Sequence, residues 1–230
     1  MIIDTPWSTL KYKEELIKNN VTTVLRYYNH RNSQRLPEKR LTRQEAVALS
    51  EINISIAVVF QQRQDRIADF SYEQGVRSGR RACNIAIEQI GQPFGSAIYT
   101  AVDYDAHKES ELSQILKYFE GFKAGIEGDK GYKVGGYGGG KLLFRLLAEE
   151  LVSYTWLSLS KGWAGYKEFL ESNLWNLSQY AQSTYEGLEV ELNRVNRVQG
   201  PVFGQFRLSN NAKPVTGQHT SKLHRKLGRV

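Results

Sequence analysis

The chain has 230 residues and 26.3 kDa, 40 % hydrophobic and 24 % charged, an ordinary globular composition that excludes a disordered tail or a fibre. No stretch reaches the roughly 20 apolar residues of a membrane span, the opening MIIDTPWSTL carries no signal-peptide pattern, and the single cysteine, Cys83, excludes an internal disulfide, so the fold must rest on its core. The formal charge of +7 falls entirely at the end: residues 197–230 hold seven Lys/Arg and no Asp or Glu, and residues 1–196 are neutral.

Apolar, β-branched runs at 2–4, 23–27, 54–60, 97–103, 133–137, 154–158, 174–179 and 188–193 read as eight strands, several continuous enough to be buried on both faces. Helical patterns stand between them at 9–19, 42–51, 72–90, 110–126 and 141–151, the second opened by Thr42 with Glu45 three residues on. Past Trp156 the helices shrink. Residues 161–173 hold one brief candidate, and 180–187 is too short for a crossover helix. Eight parallel strands alternating with helices predict an α/β protein, a small (β/α)8 TIM-type barrel with its later helices short or missing. A doubly wound sheet is the rival. The expected organisation is a barrel over 1–196 and a basic, extended tail over 197–230. That tail reads as an arm contacting a protein or an anionic polymer, or as a plain wrapping C-terminus.

In a barrel of this type the site lies at the C-terminal ends of the strands. The polar and aromatic residues expected there are Asp4, Arg26, Tyr27, Tyr28, Gln61, Gln62, Asp103, Tyr104, Asp105, Tyr137, Ser160, Trp163, Gln179, Glu191 and Asn193. Asp103 and Asp105 are the sharpest feature, because residues i and i+2 of a strand point to one face. Two carboxylates so close repel, which raises one pKa and divides the pair into a proton donor and an ionised partner, as glycoside hydrolysis requires. A strand end capping the next helix, or an oxygen-ligand metal site, would use the same residues. Trp7, Tyr27, Tyr28, Tyr104, Tyr137, Trp156 and Trp163 offer faces for pyranose rings, or rim packing.

Two other patterns carry less. Gly135 to Leu142 matches a phosphate-binding loop except that Leu142 stands where Ser or Thr would hold magnesium, so a tight strand–helix turn explains its glycines better. His30, His107, His219 and His224 show no metal-ligand spacing, and His107 reads as an exposed helix-start residue.

Together, Ile3-Asp4-Thr5-Pro6-Trp7, Arg26-Tyr27-Tyr28, Arg40-Leu41-Thr42 with Glu45, Ile98 to Asp105, Tyr118-Phe119, Val134 to Gly138, and Trp156-Leu157 with Ser160 and Gly162-Trp163 resemble one family. It is the glycoside-hydrolase-like domain family, the Rv2525c-like group, related to the family 25 muramidases. The likeness runs over about residues 2–195 and implies a TIM-type barrel with acids ending strands one and four. By position, Asp4 matches the family's strand-one aspartate and Asp103 the first acid of its strand-four pair. Asp105 stands where muramidases carry the general-acid glutamate, one methylene shorter. In strand eight, Val190-Glu191-Leu192-Asn193 replaces the family's Asp-x-Asn and moves the charge outward.

The resemblance implies cleavage of a β-1,4 bond in a cell-wall glycan, with Asp105 as proton donor, Asp103 as the ionised partner and Asp4 in support. Arg26, Tyr28, Tyr104, Tyr137, Trp163, Gln179 and Glu191 would bind substrate, and the chemistry requires no metal or organic cofactor. The departures at Asp105 and Glu191 favour the alternative, a barrel that binds glycan or protein within a larger assembly. The missing signal pattern implies cytoplasmic synthesis, with a phage or a secretion machine delivering a wall-acting enzyme.

Overall fold

The computed structural model describes residues 1–126 and 131–209. Eight strands close into a barrel in sequence order: β1 Ile2–Asp4, β2 Thr23–Tyr28, β3 Ser55–Phe60, β4 Ala97–Ala101, β5 Lys133–Gly138, β6 Tyr154–Leu157, β7 Leu177–Tyr185 and β8 Leu188–Val195. Strands β1 to β7 pair in parallel, as expected, but β8 runs antiparallel to both β7 and β1. The reason is the connection. Only Glu186 and Gly187 separate β7 from β8, both at positive φ (49° and 88°), the conformation of a tight hairpin turn. A parallel return needs a crossover of a dozen or more residues.

The helices are α1 Lys13–Lys18, α2 Arg43–Glu51, α3 Tyr72–Asn84, α4 Glu109–Gly125, α5 Gly140–Ala148 and α6 Tyr166–Glu171. Thr42 caps α2 by accepting from the Glu45 amide at 3.2 Å. Ser71 caps α3, which continues as a π-helical turn over Ile85–Ile90 and stops at Gly91 in the left-handed conformation. Side chains alternate along each strand. Leu25, Ala57, Val59, Tyr99, Trp156 and Leu177 fill the barrel, while Ile3, Val24, Ile56, Val58 and Ile98 pack outward beneath the helices.

Helices α3 and α4 approach backbone to backbone. Gly75 and Gly79 face Gly121 and Gly125, and a Cβ at any of the four would overlap backbone atoms of the opposite helix. The glycines of β5 and of the start of α5 also serve packing: a Cβ at Gly135 would enter the Tyr99 ring, and one at Gly140 the Gly165 carbonyl. The phosphate-loop pattern is therefore a crowded strand–helix turn.

The C-terminal boundary differs from expectation. Residues 197–209 do not form a separate arm; the chain returns beneath the barrel and seals its N-terminal end. Phe203, Phe206 and Leu208 are buried, the Tyr99 hydroxyl donates to the Phe203 carbonyl at 2.8 Å, and Phe206 bridges Ile56. The rest of the expected tail, 210–230, lies outside the described residues.

Arg26 and Tyr28, expected in the site, are structural. Arg26 is fully buried, donates Nε to Glu45 Oε1 at 2.8 Å and ties down the carbonyls of Thr5, Glu38 and Lys39. Glu45 also accepts from the amide and hydroxyl of Thr9. Tyr28 points outward and donates to Gln92 at 2.8 Å. Parity decides this, because Tyr27 between them takes the inward face.

Two stability results follow. Gly79→Ala should destabilise by about 1–3 kcal/mol or more through overpacking, whereas Gly162→Ala, with open space around it, should stay within about 0.5 kcal/mol; thermal denaturation compares them. Arg26→Met should cost about 3–5 kcal/mol by stranding the Glu45 charge, and Arg26→Met/Glu45→Leu should recover part of that loss. A double variant no more stable than the single one would contradict this role.

Candidate active site

The inward-facing residues at the C-terminal ends of the strands converge on an open cavity of about 640 Å³. Its floor and walls are Asp4, Tyr27, Val59, Gln61, Ala101, Asp103, Tyr137, Trp156 and Glu191. One further wall belongs to the β7–β8 hairpin, which rises beyond the barrel rim and contributes Gln182, Ser183, Thr184 and Glu189.

Asp4 and Glu191 are register partners on β1 and β8, and their carboxyl groups share one network. Asn193 Nδ2 donates to Asp4 at 2.7 Å, and Gln179 Nε2 donates to both Asp4 oxygens at 3.1 and 3.3 Å and also to Glu191. Each amide is oriented in turn. Trp156 Nε1 donates to Asn193 Oδ1 at 2.7 Å, and Gln179 Oε1 accepts from the Tyr137 hydroxyl and the Leu159 amide. Burial, followed by the Glu191 charge, pushes Asp4 well above the usual carboxylate range despite those donors. A proton therefore sits on the pair at pH values where ordinary carboxylates have lost theirs.

Asp103 faces the pair from beyond β4, across the mouth from β8. Gln61 Nε2 donates to it at 2.9 Å, and Lys39 Nζ donates to Gln61 Oε1 at 2.9 Å while lying over the Tyr27 ring at 4.6 Å. Burial raises the Asp103 pKa, and Gln61 and Lys39 oppose that rise. Burial also lowers Lys39 to about 8, with Asp103 resisting. The mouth thus holds a proton-bearing acid pair on one side and a cation-supported carboxylate on the other.

Of the predicted residues, Asp4, Asp103, Tyr137, Gln179 and Glu191 meet here. Asp105 does not. β4 ends at Ala101, so strand parity does not reach the Asp103/Asp105 pair, and Asp105 turns aside to accept from the Ala164 amide at 2.9 Å and lie 3.4 Å from His107. Tyr104 packs on Phe70 outside the barrel, and Trp163 covers Gly139 at the start of α5. Glu191, expected to bind substrate with its charge moved outward from the family's aspartate position, faces the cavity.

Lys39 was not anticipated, since nothing in its sequence neighbourhood distinguishes it from other loop cations. The hairpin wall was equally hidden, because eight parallel strands have no place for it. Among the described residues, no group of three or more His, Cys, Asp or Glu is placed to hold a metal ion.

Known proteins share this architecture. The structure superposes on the Mycobacterium tuberculosis Tat-secreted protein Rv2525c with a TM-score of 0.74 and 21 % identity, covering 89 % of this chain and 97 % of that one. It also superposes on the modular autolysin LytC of Streptococcus pneumoniae, solved with a synthetic peptidoglycan ligand, with a TM-score of 0.54 and 13 % identity over 84 % of this chain and 45 % of that one. At these identities the likeness is one of fold. The uncharacterized protein YbfG of Bacillus subtilis is 26 % identical over 87 % of the chain, which spans only 30 % of that relative's length. The model of the Rv2525c-like, glycoside hydrolase-like domain matches residues 14–214, and with the barrel and its acid-lined mouth in place, the chain belongs to that family.

Proposed function

We propose that the chain hydrolyses a β-1,4 glycosidic bond in peptidoglycan or a related cell-wall glycan. The observation that carries this reading is the division of carboxyl groups across the mouth, where the Asp4–Glu191 pair retains a proton and Asp103 faces it beside Lys39 and Gln61. The proton held by buried Asp4 passes through its hydrogen-bonded neighbour Glu191, which is half-exposed to the cavity, to the glycosidic oxygen. Asp103 stabilises the positive charge that develops on the sugar ring as the bond breaks, and water then adds to that carbon and returns a proton to the acid pair. Tyr27, Tyr137 and Trp156 give the cavity aromatic walls suited to pyranose faces. The family's glycoside hydrolase-like fold and the peptidoglycan ligand of the LytC neighbour support a glycan as the substrate class.

A second reading, a barrel that binds glycan without cleaving it, is favoured by the position of Asp105. The carboxylate that resembles the muramidase general acid is held by Ala164 and His107 and does not line the mouth.

Mass spectrometry of soluble products from purified peptidoglycan separates the two. Hydrolysis predicts new reducing-end fragments, with rates falling about 10²–10⁴-fold in Asp103→Asn and in Glu191→Gln and staying near wild type in Asp105→Asn. Folded protein that pellets with walls and releases no fragments would establish the binding barrel instead.

The pH profile is a second test. Activity should rise as Asp103 ionises, at a higher pH than for an ordinary aspartate because its pKa is raised, and fall as the Asp4–Glu191 pair loses its proton at higher pH. Any residual activity of Glu191→Gln should lose its basic limb at lower pH than the wild type, because removing the neighbouring charge lowers the Asp4 pKa.

A further inference from the structure

The neutral total of residues 1–196 conceals a strong polarity. Residues 26–81, from β2 through most of α3, hold eleven Lys/Arg against six Asp/Glu, whereas residues 82–196 hold ten against fifteen. The excess is arginine: ten of the chain's sixteen arginines fall in this stretch, with Lys39 as its one lysine. The fold gathers several of them around a second cavity of about 790 Å³, lined by Arg63, Arg77, Arg80 and Arg81 with His30, against Asp69 and Glu88.

This cleft lies behind the loop that follows β3. Gln61 of that loop holds Asp103 in the mouth, while Gln62 and Gln64 line the cleft. Its far wall includes the π-helical turn, a rare distortion that clusters at functional sites. Arg63, Arg80 and Arg81 have no acidic partner among the described residues, and Arg77 bonds neutral Gln74 at 2.8 Å while lying near the exposed Glu73 carboxylate. Guanidinium groups grip phosphate or carboxylate with two parallel hydrogen bonds, which a lysine cannot do. Arg77 and Arg81 stand about 6 Å apart along α3, an array for repeated charges rather than a seat for one ion.

We propose that this arginine cleft binds a phosphodiester-linked anionic glycopolymer lying beside the glycan held in the mouth. Binding of a phosphodiester polyanion stands on the cleft alone; the choice of a sugar polymer rests on the glycan reading of the mouth.

The test measures pelleting of the full chain with Gram-positive cell walls, either native or stripped of phosphodiester-linked polymers by hydrofluoric acid. Native walls should bind about ten-fold more tightly, with affinity falling steeply as salt rises. Arg63→Gln/Arg77→Gln/Arg80→Gln/Arg81→Gln, which alters exposed side chains and should melt near wild type, should lose that preference and flatten the salt slope. Removing four charges from the tail, with Lys222→Gln/Arg225→Gln/Lys226→Gln/Arg229→Gln, should leave the preference intact. Asp103→Asn should also keep it, so that a failure of hydrolysis does not register as a failure of the cleft. The proposal is overturned by equal binding to both wall preparations, by retention in the arginine variant, or by equal loss in the tail variant. Displacement by duplex DNA as efficient per phosphate as by the wall polymer would also overturn it, and would point to nucleic acid.

Discussion

An eight-stranded barrel closes only if its last strand finds the first, and here that strand is reached through a two-residue turn. With no room for a crossover, β8 must run backwards between β7 and β1. Most of the site depends on this reversal. It sets Glu191 opposite Asp4 and aims Asn193 at the same carboxylate. It also carries the hairpin past the rim, so that one wall of the mouth is sheet rather than loop.

The chain tolerates an expensive arrangement at the centre of that mouth. A buried carboxylate beside a second one is unfavourable even with Asn193, Gln179 and Trp156 arranged to support it. Apolar residues at Asp4 and Glu191 would make a better core, and such locally unfavourable clusters concentrate at functional sites. The surrounding frame is correspondingly stiff. The buried Arg26–Glu45 pair binds the β1 exit, the segment before α2 and α2 itself into one unit, and Lys39 belongs to the segment it anchors. A structural ion pair thereby fixes the position of a cation in the site.

The outer layer has its own close contact. Glycines on α3 and α4 bring the two helices together over the barrel. The basic stretch and the acid-rich remainder then give one neutral barrel two electrically distinct sectors. The family's fold persists at 21 % identity to Rv2525c, as expected where strand alternation and barrel closure specify the architecture more than particular side chains do.

Much of the fold was legible in the residues. Strand runs, helix patterns, the Thr42 cap and the fading of helices after Trp156 are local signals, because propensity, capping and periodicity act over a few residues. The family motifs likewise marked Asp4, Asp103 and Tyr137, and Gln179 and Glu191 fell at predicted strand ends. The direction of β8 was implicit in the short 180–187 connection, yet a pattern of apolar runs carries no polarity. Asp105, Arg26 and Tyr28 were misplaced because where a side chain points depends on the residue at which its strand ends or which face it takes, and pairing decides both. Lys39 and residues 197–209 lay beyond local reading for a related reason: their partners, Gln61, Tyr27, Ile56 and Tyr99, are distant in sequence. The sequence by itself determined the family, the order of elements and most of the acids. Only the tertiary structure decided which acids lie side by side, which carboxylate a lysine supports and what closes the barrel floor, because those outcomes depend on burial and distance, which exist only once the chain has closed on itself.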